Sequence, residues 1–161
     1  MEWLGLSIEI RDDEFQDYDP GPLYALVRQF VGKGMGINAL NAAGESPIFA
    51  FFRRQAQNLT NTHSEKGTAA QKAALEFLDE LGADSTVVNN AGETLLHLVG
   101  DTNGPWMDDD ETKERSTVQM VARYRWALER GADPIAEDRQ GRTCLDLAAV
   151  KGNQALLDLY G

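Results

Sequence analysis

Residues 131–141 read GADPIAEDRQG, and the sequence RTCLDLAA of residues 142–149 follows them directly. Two earlier stretches, GMGINALNAAG (residues 34–44) and GADSTVVNNAG (residues 82–92), align with the first without a gap. Each follows an apolar run with helical spacing and precedes a Ser or Thr suited to cap a new helix. A pattern that recurs three times in one phase is typical of a stacked-repeat fold.

The glycine that opens each stretch predicts the end of a helix, because the position just beyond a helix needs a left-handed backbone. Gly34, Gly82 and Gly131 are these glycines. The repeated unit is therefore a helix, a glycine stop, an extended turn and a capped helix. We predict helices over residues 22–33, 47–55, 68–81, 95–99, 117–130, 144–151 and 154–160.

This unit resembles the ankyrin repeat, whose pattern reads roughly GADxNxxDxxGxTPLHxAA followed by a second helix. The third copy departs from that pattern at Cys144 and Asp146, the second keeps His97, and the first keeps Pro47 but has Phe49 for the histidine. The resemblance implies an all-α ankyrin-repeat solenoid of about three to four repeats with short extended finger turns. It also implies that His97 orients a turn by hydrogen bonding to backbone.

The resemblance extends over residues 22–161, which we interpret as one ankyrin-repeat domain of a longer protein. Residues 1–21 form an extended acidic segment with a strand-like alternation over residues 4–10. The single cysteine and the absence of a signal peptide or a long apolar run indicate a cytoplasmic or nuclear protein, outside any membrane.

The repeat period is longer than the family's. Gly44, Gly92 and Gly141 are separated by 48 and 49 positions, whereas the family period is about 33. The extra residues fall near 53–71 and 100–118, and we interpret them partly as lengthened helices and partly as ordered loops. Core positions predicted from the helical pattern are Phe49, Phe51, Phe52, Leu96, Trp126 and Leu145.

Net charge is −11, and it is concentrated in two segments. Residues 1–20 carry seven acids against one arginine, and residues 101–115 carry six acids against two bases. This distribution excludes direct nucleic-acid binding, because phosphates require a basic patch. It is compatible with a basic protein partner and equally with solvated loops that keep the chain soluble.

No catalytic or metal constellation accompanies the repeats. Cys144, His97 and Asp146 include the residue types of a triad, but neighbouring stacked helices lie about 8–10 Å apart and a nucleophile and its base must approach to about 3 Å. His63 and its neighbours are too few for zinc, and the loop that begins at Asp101 lacks the glycine and glutamate of a calcium loop. We expect no enzyme activity, no cofactor and no metal.

The resemblance instead implies a protein–protein interaction module, monomeric, that binds a partner protein or peptide through finger turns, first-helix face or acidic insertion. Two alternatives stay open: a reader of basic, histone-like tails, and an internal scaffold packed on a neighbouring domain. Trp106 either receives a Lys or Arg side chain or pins its own loop. Leu40 and Val88 are apolar where a solvent-facing tip favours polar groups. The candidate partner-binding residues are Leu40, Glu45, Val88, Asn90, Glu93, Trp106, Asp108, Asp109, Asp110, Glu111, Arg139 and Arg142.

Overall fold

A computed structural model describes residue 28 and residues 31–34, 36–57, 65–102 and 110–159. These residues form helices and turns without a strand, which confirms the all-α prediction for this part of the chain. The acidic segment 1–21 and its strand-like alternation lie outside it. Of the predicted helix 22–33, four residues are described: Arg28, Val31 and Gly32 are helical, and Lys33 lies in the turn that follows. The helices are α1 (Pro47–Gln57), α2 (Glu65–Glu80), α3 (Leu95–Gly100), α4 (Asp110–Glu129), α5 (Cys144–Lys151) and α6 (Gln154–Asp158).

The helices pack in two rows. Helices α1, α3 and α5 lie side by side in the first row, and α2, α4 and α6 form the second. Helix α4 packs back on α3, and α6 packs back on α5. The stretches that begin at Gly82 and Gly131 each join a second-row helix to the next first-row helix, and the stretch that begins at Gly34 leads into α1. The three turns lie at one edge of the molecule.

The glycine stops are confirmed. Gly82 and Gly131 have φ angles of 77° and 92°. The amide of Ala83 donates to the carbonyl of Leu78 at 3.0 Å, and the amide of Gly82 donates to the carbonyl of Asp79 at 3.0 Å. These two bonds form the Schellman arrangement that satisfies the last carbonyls of α2. The same pair of bonds ends α4.

The predicted N-caps are confirmed at two of three positions. The hydroxyl of Thr143 accepts from the amide of Asp146, whose carboxylate accepts from the amide of Thr143 in return. Thr94 is the N-cap of α3. Ser46, before α1, was predicted to cap but does not, since its buried hydroxyl has no hydrogen-bond partner. The third helical position of α1 is Phe49, which cannot return the bond as a polar residue does in a capping box.

The aromatic residues of α1 lie in the core, as predicted. Phe49, Phe51 and Phe52 are 0%, 7% and 1% exposed, and the ring of Phe52 lies 6.1 Å from the ring of buried Trp126. These side chains fill the space between the two rows of helices.

The two leucines predicted to be equally buried differ. Leu96 is fully buried, but Leu145 is only partly buried and packs at the margin of the core. The prediction for Leu145 was therefore wrong. Burial of this position depends on the helix that packs over it, and among the described residues no first-row helix follows α5.

Two helices begin earlier than predicted. Helix α2 begins at Glu65 instead of residue 68, and α4 begins at Asp110 instead of residue 117. Asp110 and Glu111 occupy the first turn of α4, where acidic side chains interact favourably with the helix dipole. Glu111 also pairs with Arg115 one turn on, at 2.5 Å. Part of the acidic insertion is therefore helix. The other ends of α1 to α6 lie within two residues of prediction, and the predicted start at residue 22 lies outside the described residues.

None of the described helices combines the length and the apolar composition that a membrane span requires.

Candidate functional site

The three turns are built in the same way. In the second turn, the side-chain oxygen of Asn89 accepts from the amides of Ala91 and Glu93 at 3.0 and 2.9 Å. The amide of Asn89 donates to the carbonyl of Glu93 at 3.1 Å. Asn41 and Asp138 make the equivalent bonds in the first and third turns. An Asn or Asp that bonds the following backbone fixes a tight turn, so these turns, which we call the finger turns, are rigid.

The finger turns stack on one another through backbone bonds. The amide of Asn90 donates to the carbonyl of Ala43 at 2.9 Å, and the amide of Arg139 donates to the carbonyl of Ala91 at 2.9 Å. The side chain of Asn90 adds a bond to the carbonyl of Ala42 at 2.9 Å. The predicted contact residue Asn90 therefore joins the first turn to the second.

Glycine at the end of a finger turn permits this close approach. Gly44 and Gly92 have φ angles of 76° and 78°. A Cβ atom on Gly44 would lie 2.5 Å from the side-chain oxygen of Asn90, and one on Gly92 would lie 2.9 Å from the amide nitrogen of Arg139. The recurring glycine is therefore required both by its backbone angle and by the neighbouring turn.

His97 joins the second unit to the third. Its Nδ1 accepts from the amide of Thr94 at 3.0 Å, which places the ring proton on Nε2. Nε2 then donates to the carbonyl of Arg142 at 2.8 Å. The ring is 1% exposed. This geometry matches the orienting role that the resemblance implies for His97.

The finger tips carry an exposed apolar pair. Leu40 and Val88 precede the turn residues Asn41 and Asn89 and are 56% and 52% exposed. The equivalent residue of the third turn is Glu137, also exposed. Two adjacent turns therefore present aliphatic side chains at matching positions, and the third presents a charge.

Two predicted contact residues are partly buried and bonded within the molecule. Glu45 and Glu93 receive the guanidinium of Arg53, at 2.5 and 3.5 Å, and both accept from the side chain of Asn89. Their side chains are 11% and 20% exposed. Partial burial lowers the pKa of Arg53, but bonding to Glu45 and the charges of both carboxylates outweigh it, so the pKa is raised. This network connects the first two turns to α1.

The two arginines of the third turn differ in whether the side chain is paired with a carboxylate. Arg142 pairs with Asp138 at 2.8 Å, whereas the side chain of Arg139 is exposed beside it. Burial raises the pKa of Asp138, but hydrogen bonds from the amides of Arg142 and Gln140 and from the Arg142 guanidinium outweigh it, and the pKa lies below its ordinary value. Asp138 is therefore a charged structural residue.

The acidic insertion is described only in part. Trp106, Asp108 and Asp109 lie outside the described residues. The side chains of Asp110 and Glu111 are exposed on the first turn of α4, each paired with a basic residue of the same helix. These ion pairs within α4 neutralise part of the negative charge that a basic partner would contact.

The residues that could suggest a triad have separate partners. The thiol of Cys144 donates to the carbonyl of Pro134 at 3.5 Å, and burial raises its pKa to about 11. Asp146 caps α5 by bonding to Thr143, and His97 bonds backbone as described above. A buried neutral thiol without a base is inert as a nucleophile. The described residues contain no group of three His, Cys, Asp or Glu side chains suited to a metal.

Sequence reasoning missed a buried polar network between α2 and α4. The guanidinium of Arg123 donates to the side chain of Gln71 at 2.8 Å, and Gln71 donates to the carbonyl of Gln119 at 3.0 Å. Arg123 is 4% exposed, and burial lowers its pKa to about 10. Gln71 lies at the end of the first inserted segment, and Gln119 and Arg123 follow the second, so no column of the aligned stretches marks these residues. The Asn41, Asn89 and Asp138 series could have been found, since the three occupy one column of the aligned stretches.

No protein-family model matches this chain, and no curated protein matches it.

Proposed function

We propose that the chain is an ankyrin-repeat solenoid of three to four repeats that binds another protein through its finger turns, without chemistry of its own. The observation that carries this proposal is the pair Leu40 and Val88, more than half exposed on adjacent turns. Exposed aliphatic side chains grouped on a rigid support are typical of a protein-binding surface. Loops held on a fixed scaffold commonly carry function.

The binding surface combines an apolar part with a polar margin. Leu40 and Val88 supply the apolar part, and Ala91 extends it with a small exposed side chain. Glu137 and Arg139 of the third turn supply exposed charges of both signs beside it. An apolar centre with a polar rim is the usual composition of a transient interface. The partner we propose therefore offers an apolar side chain flanked by polar groups.

The other two predicted surfaces are less suited to this role. Glu45 and Glu93, which lie next to the first-row helices that follow them, already pair with Arg53. Asp110 and Glu111 of the insertion are paired with Lys113 and Arg115, and Asp101 is paired with Lys151. The reader of basic tails and the internal scaffold remain predictions that no contact of the described residues favours.

A photo-crosslinking residue at position 88 tests the proposal in cells. The matched control is position 118, where Val118 is 53% exposed on α4, away from the turns. We expect position 88 to capture a partner that position 118 does not. Mass spectrometry then identifies the partner, and titration with purified protein gives its Kd.

The titration uses Leu40→Asp combined with Val88→Asp, against Val118→Asp. Charges placed at an apolar interface centre should weaken binding by about tenfold or more, while the control binds as wild type. Equal binding by both variants, with unfolding temperatures unchanged, would remove the finger tips as the site.

A further inference from the structure

Equivalent positions of the three finger turns form rows that run along the stack. The amide of Asn90 donates to the carbonyl of Ala43, and the amide of Arg139 donates to the carbonyl of Ala91, both at 2.9 Å. The two bonds join equivalent atoms, so the step from the first turn to the second is repeated from the second to the third. Side chains at one position of the three turns therefore lie in line.

One such row carries an exposed side chain on every turn. It consists of Leu40, Val88 and Glu137, which we call the tip row. Val88 has a finger turn on either side of it and is still 52% exposed. Exposure of the tip row is therefore a property of the position itself and does not require that a neighbouring turn be absent.

The first two members of the tip row lie in an uncharged surface. Residues 36–44 and 85–92 contain no Asp, Glu, Lys or Arg, although 25% of the residues of the chain are charged. Leu40 and Val88 share these turns with exposed alanines. A partner that covers the two turns has to be apolar there, because a charged group would lose hydration without gaining a counter-charge.

The third member of the tip row is an unpaired acid. Glu137 is exposed and forms no ion pair with any described residue, whereas the adjacent Asp138 is bound by Arg142 at 2.8 Å. Arg139 is also exposed but lies in another row, with its Cγ 3.3 Å from the place of a Cβ atom on Gly92. The tip row therefore presents two aliphatic side chains and then a carboxylate that is available for pairing.

We propose that the finger turns bind a protein segment that presents two aliphatic side chains followed by a lysine or arginine. The aliphatic side chains cover Leu40 and Val88, and the base pairs with Glu137. The three contacts are spaced about 8–10 Å apart, as stacked helices are. The net charge of −11 favours the approach of a basic segment. This inference rests on the proposed function and adds the chemistry and the direction of the partner, which differs from a Lys/Arg-rich tail in needing one base.

The partner captured at position 88 provides the test, through its Kd for the whole chain and for three variants at about 0.05 M salt. Glu137→Gln should weaken binding about three- to fivefold, because it removes one exposed ion pair. Glu114→Gln makes the same change in net charge on the exposed side of α4 and should change the Kd less than about twofold. Arg139→Gln should not weaken binding, since the partner carries a base.

A charge exchange tests the pairing itself. Glu137→Lys should weaken binding about tenfold or more, because two like charges meet in the contact. Replacing the contacting lysine or arginine of the partner by Glu should restore the affinity of the Glu137→Lys variant, as expected of a direct pair in a double-mutant cycle. A partner whose every such replacement fails to restore binding would contradict the pairing.

The possible results distinguish this inference from the proposed function. Equal Kd values for Glu137→Gln and Glu114→Gln would overturn the inference, and so would weaker binding by Arg139→Gln, which would indicate an acidic partner. Either result leaves the proposed function intact if Leu40→Asp combined with Val88→Asp still weakens binding. If position 88 captures no partner, or the double aspartate variant binds as wild type does, the proposed function fails and the inference fails with it.

Discussion

The second finger turn with α3 and the third finger turn with α5 share a sequence pattern but differ in surroundings. Leu96 of α3 is fully buried, whereas the equivalent Leu145 is only partly buried. A Cβ atom on Gly92 would meet the third turn, whereas one on Gly141 would meet nothing within 4 Å. The second unit is covered on both sides, and the third is covered on one. When units stack, the contribution of a residue to the free energy of unfolding therefore depends on the neighbouring units as much as on its own unit.

The largest expected difference is between the two leucines. Leu96→Ala should lower the free energy of unfolding by about 2–5 kcal/mol, because it leaves a cavity in a closed core. Leu145→Ala should cost about 1 kcal/mol, since a half-buried side chain loses less transfer free energy and solvent can fill the gap. Urea denaturation of both variants measures the difference. Equal losses would mean that α5 is covered in solution.

Substitutions of the turn glycines Gly92 and Gly141 distinguish the cost of backbone strain from the cost of a clash with the neighbouring turn. Both have a positive φ, so alanine at either position costs about 1–2 kcal/mol for the left-handed backbone. Gly92→Ala should cost at least about 1 kcal/mol more than Gly141→Ala, because its Cβ would also displace the amide of Arg139. Thermal and urea unfolding of the pair test this. Equal losses of free energy of unfolding in Gly141→Ala and Gly92→Ala would show that the third turn can move away from the added Cβ atom of residue 92 at no cost.

His97 and Asp146 occupy one column of the repeat but bond differently. His97→Ala should cost about 1–3 kcal/mol, because it leaves the carbonyl of Arg142 and the amide of Thr94 without their partner in a buried site. Asp146→Ala removes an exposed capping residue and should cost less free energy of unfolding than His97→Ala. The prediction fails if Asp146→Ala is the more damaging substitution.

The smallest expected effect concerns the turn residue itself, which is an amide in the second turn and a carboxylate in the third. The lowered pKa of Asp138 stabilises the fold above the ordinary aspartate pKa, and this stability is lost as pH falls through the folded pKa. Asp138→Asn keeps the turn acceptor that Asn89 uses but loses the ion pair to Arg142. It should cost up to about 1 kcal/mol at pH 7.

As pH falls below the ordinary aspartate pKa of about 4, the free energies of unfolding of wild type and Asp138→Asn should begin to approach each other. They should converge once pH passes the lowered folded pKa, because the protonated carboxyl no longer pairs with arginine. Glu137→Gln, in the same turn, controls for the change in net charge. Urea midpoints measured from about pH 7 to about pH 3 give the comparison. A constant gap between wild type and Asp138→Asn across that range would mean that the Asp138 charge does not contribute to stability.

Prediction from sequence succeeded where local rules act. Gly82 and Gly131 end helices because glycine adopts a left-handed backbone, and Thr94 and Thr143 begin them because a hydroxyl suits the N-cap. Prediction failed where one residue of the local pattern differs. Ser46 has a capping side chain, but its hydroxyl has no hydrogen-bond partner, and Phe49 cannot return the bond that completes a capping box.

The candidate site residues differ in whether their surroundings follow from their position in the repeat. Their positions in the repeat placed Leu40 and Val88 at the finger tips, and both are exposed. The same logic placed Glu45 and Glu93 among the contacts, but Arg53 of α1 holds both. Arg53 lies in the inserted part of the period, so no repeat column relates it to the turns. Its partners are defined only by three-dimensional proximity.

The sequence by itself determined the recurring unit, because glycine stops, turn asparagines and caps act through bonds within a few residues. Only the tertiary structure decided which copies of that unit are covered. His97 acquires its role by reaching the carbonyl of Arg142 in the next unit, and Leu145 stays partly exposed because no described first-row helix follows α5. Burial is a property of neighbours, and identical local patterns therefore gave a closed second unit and an open third.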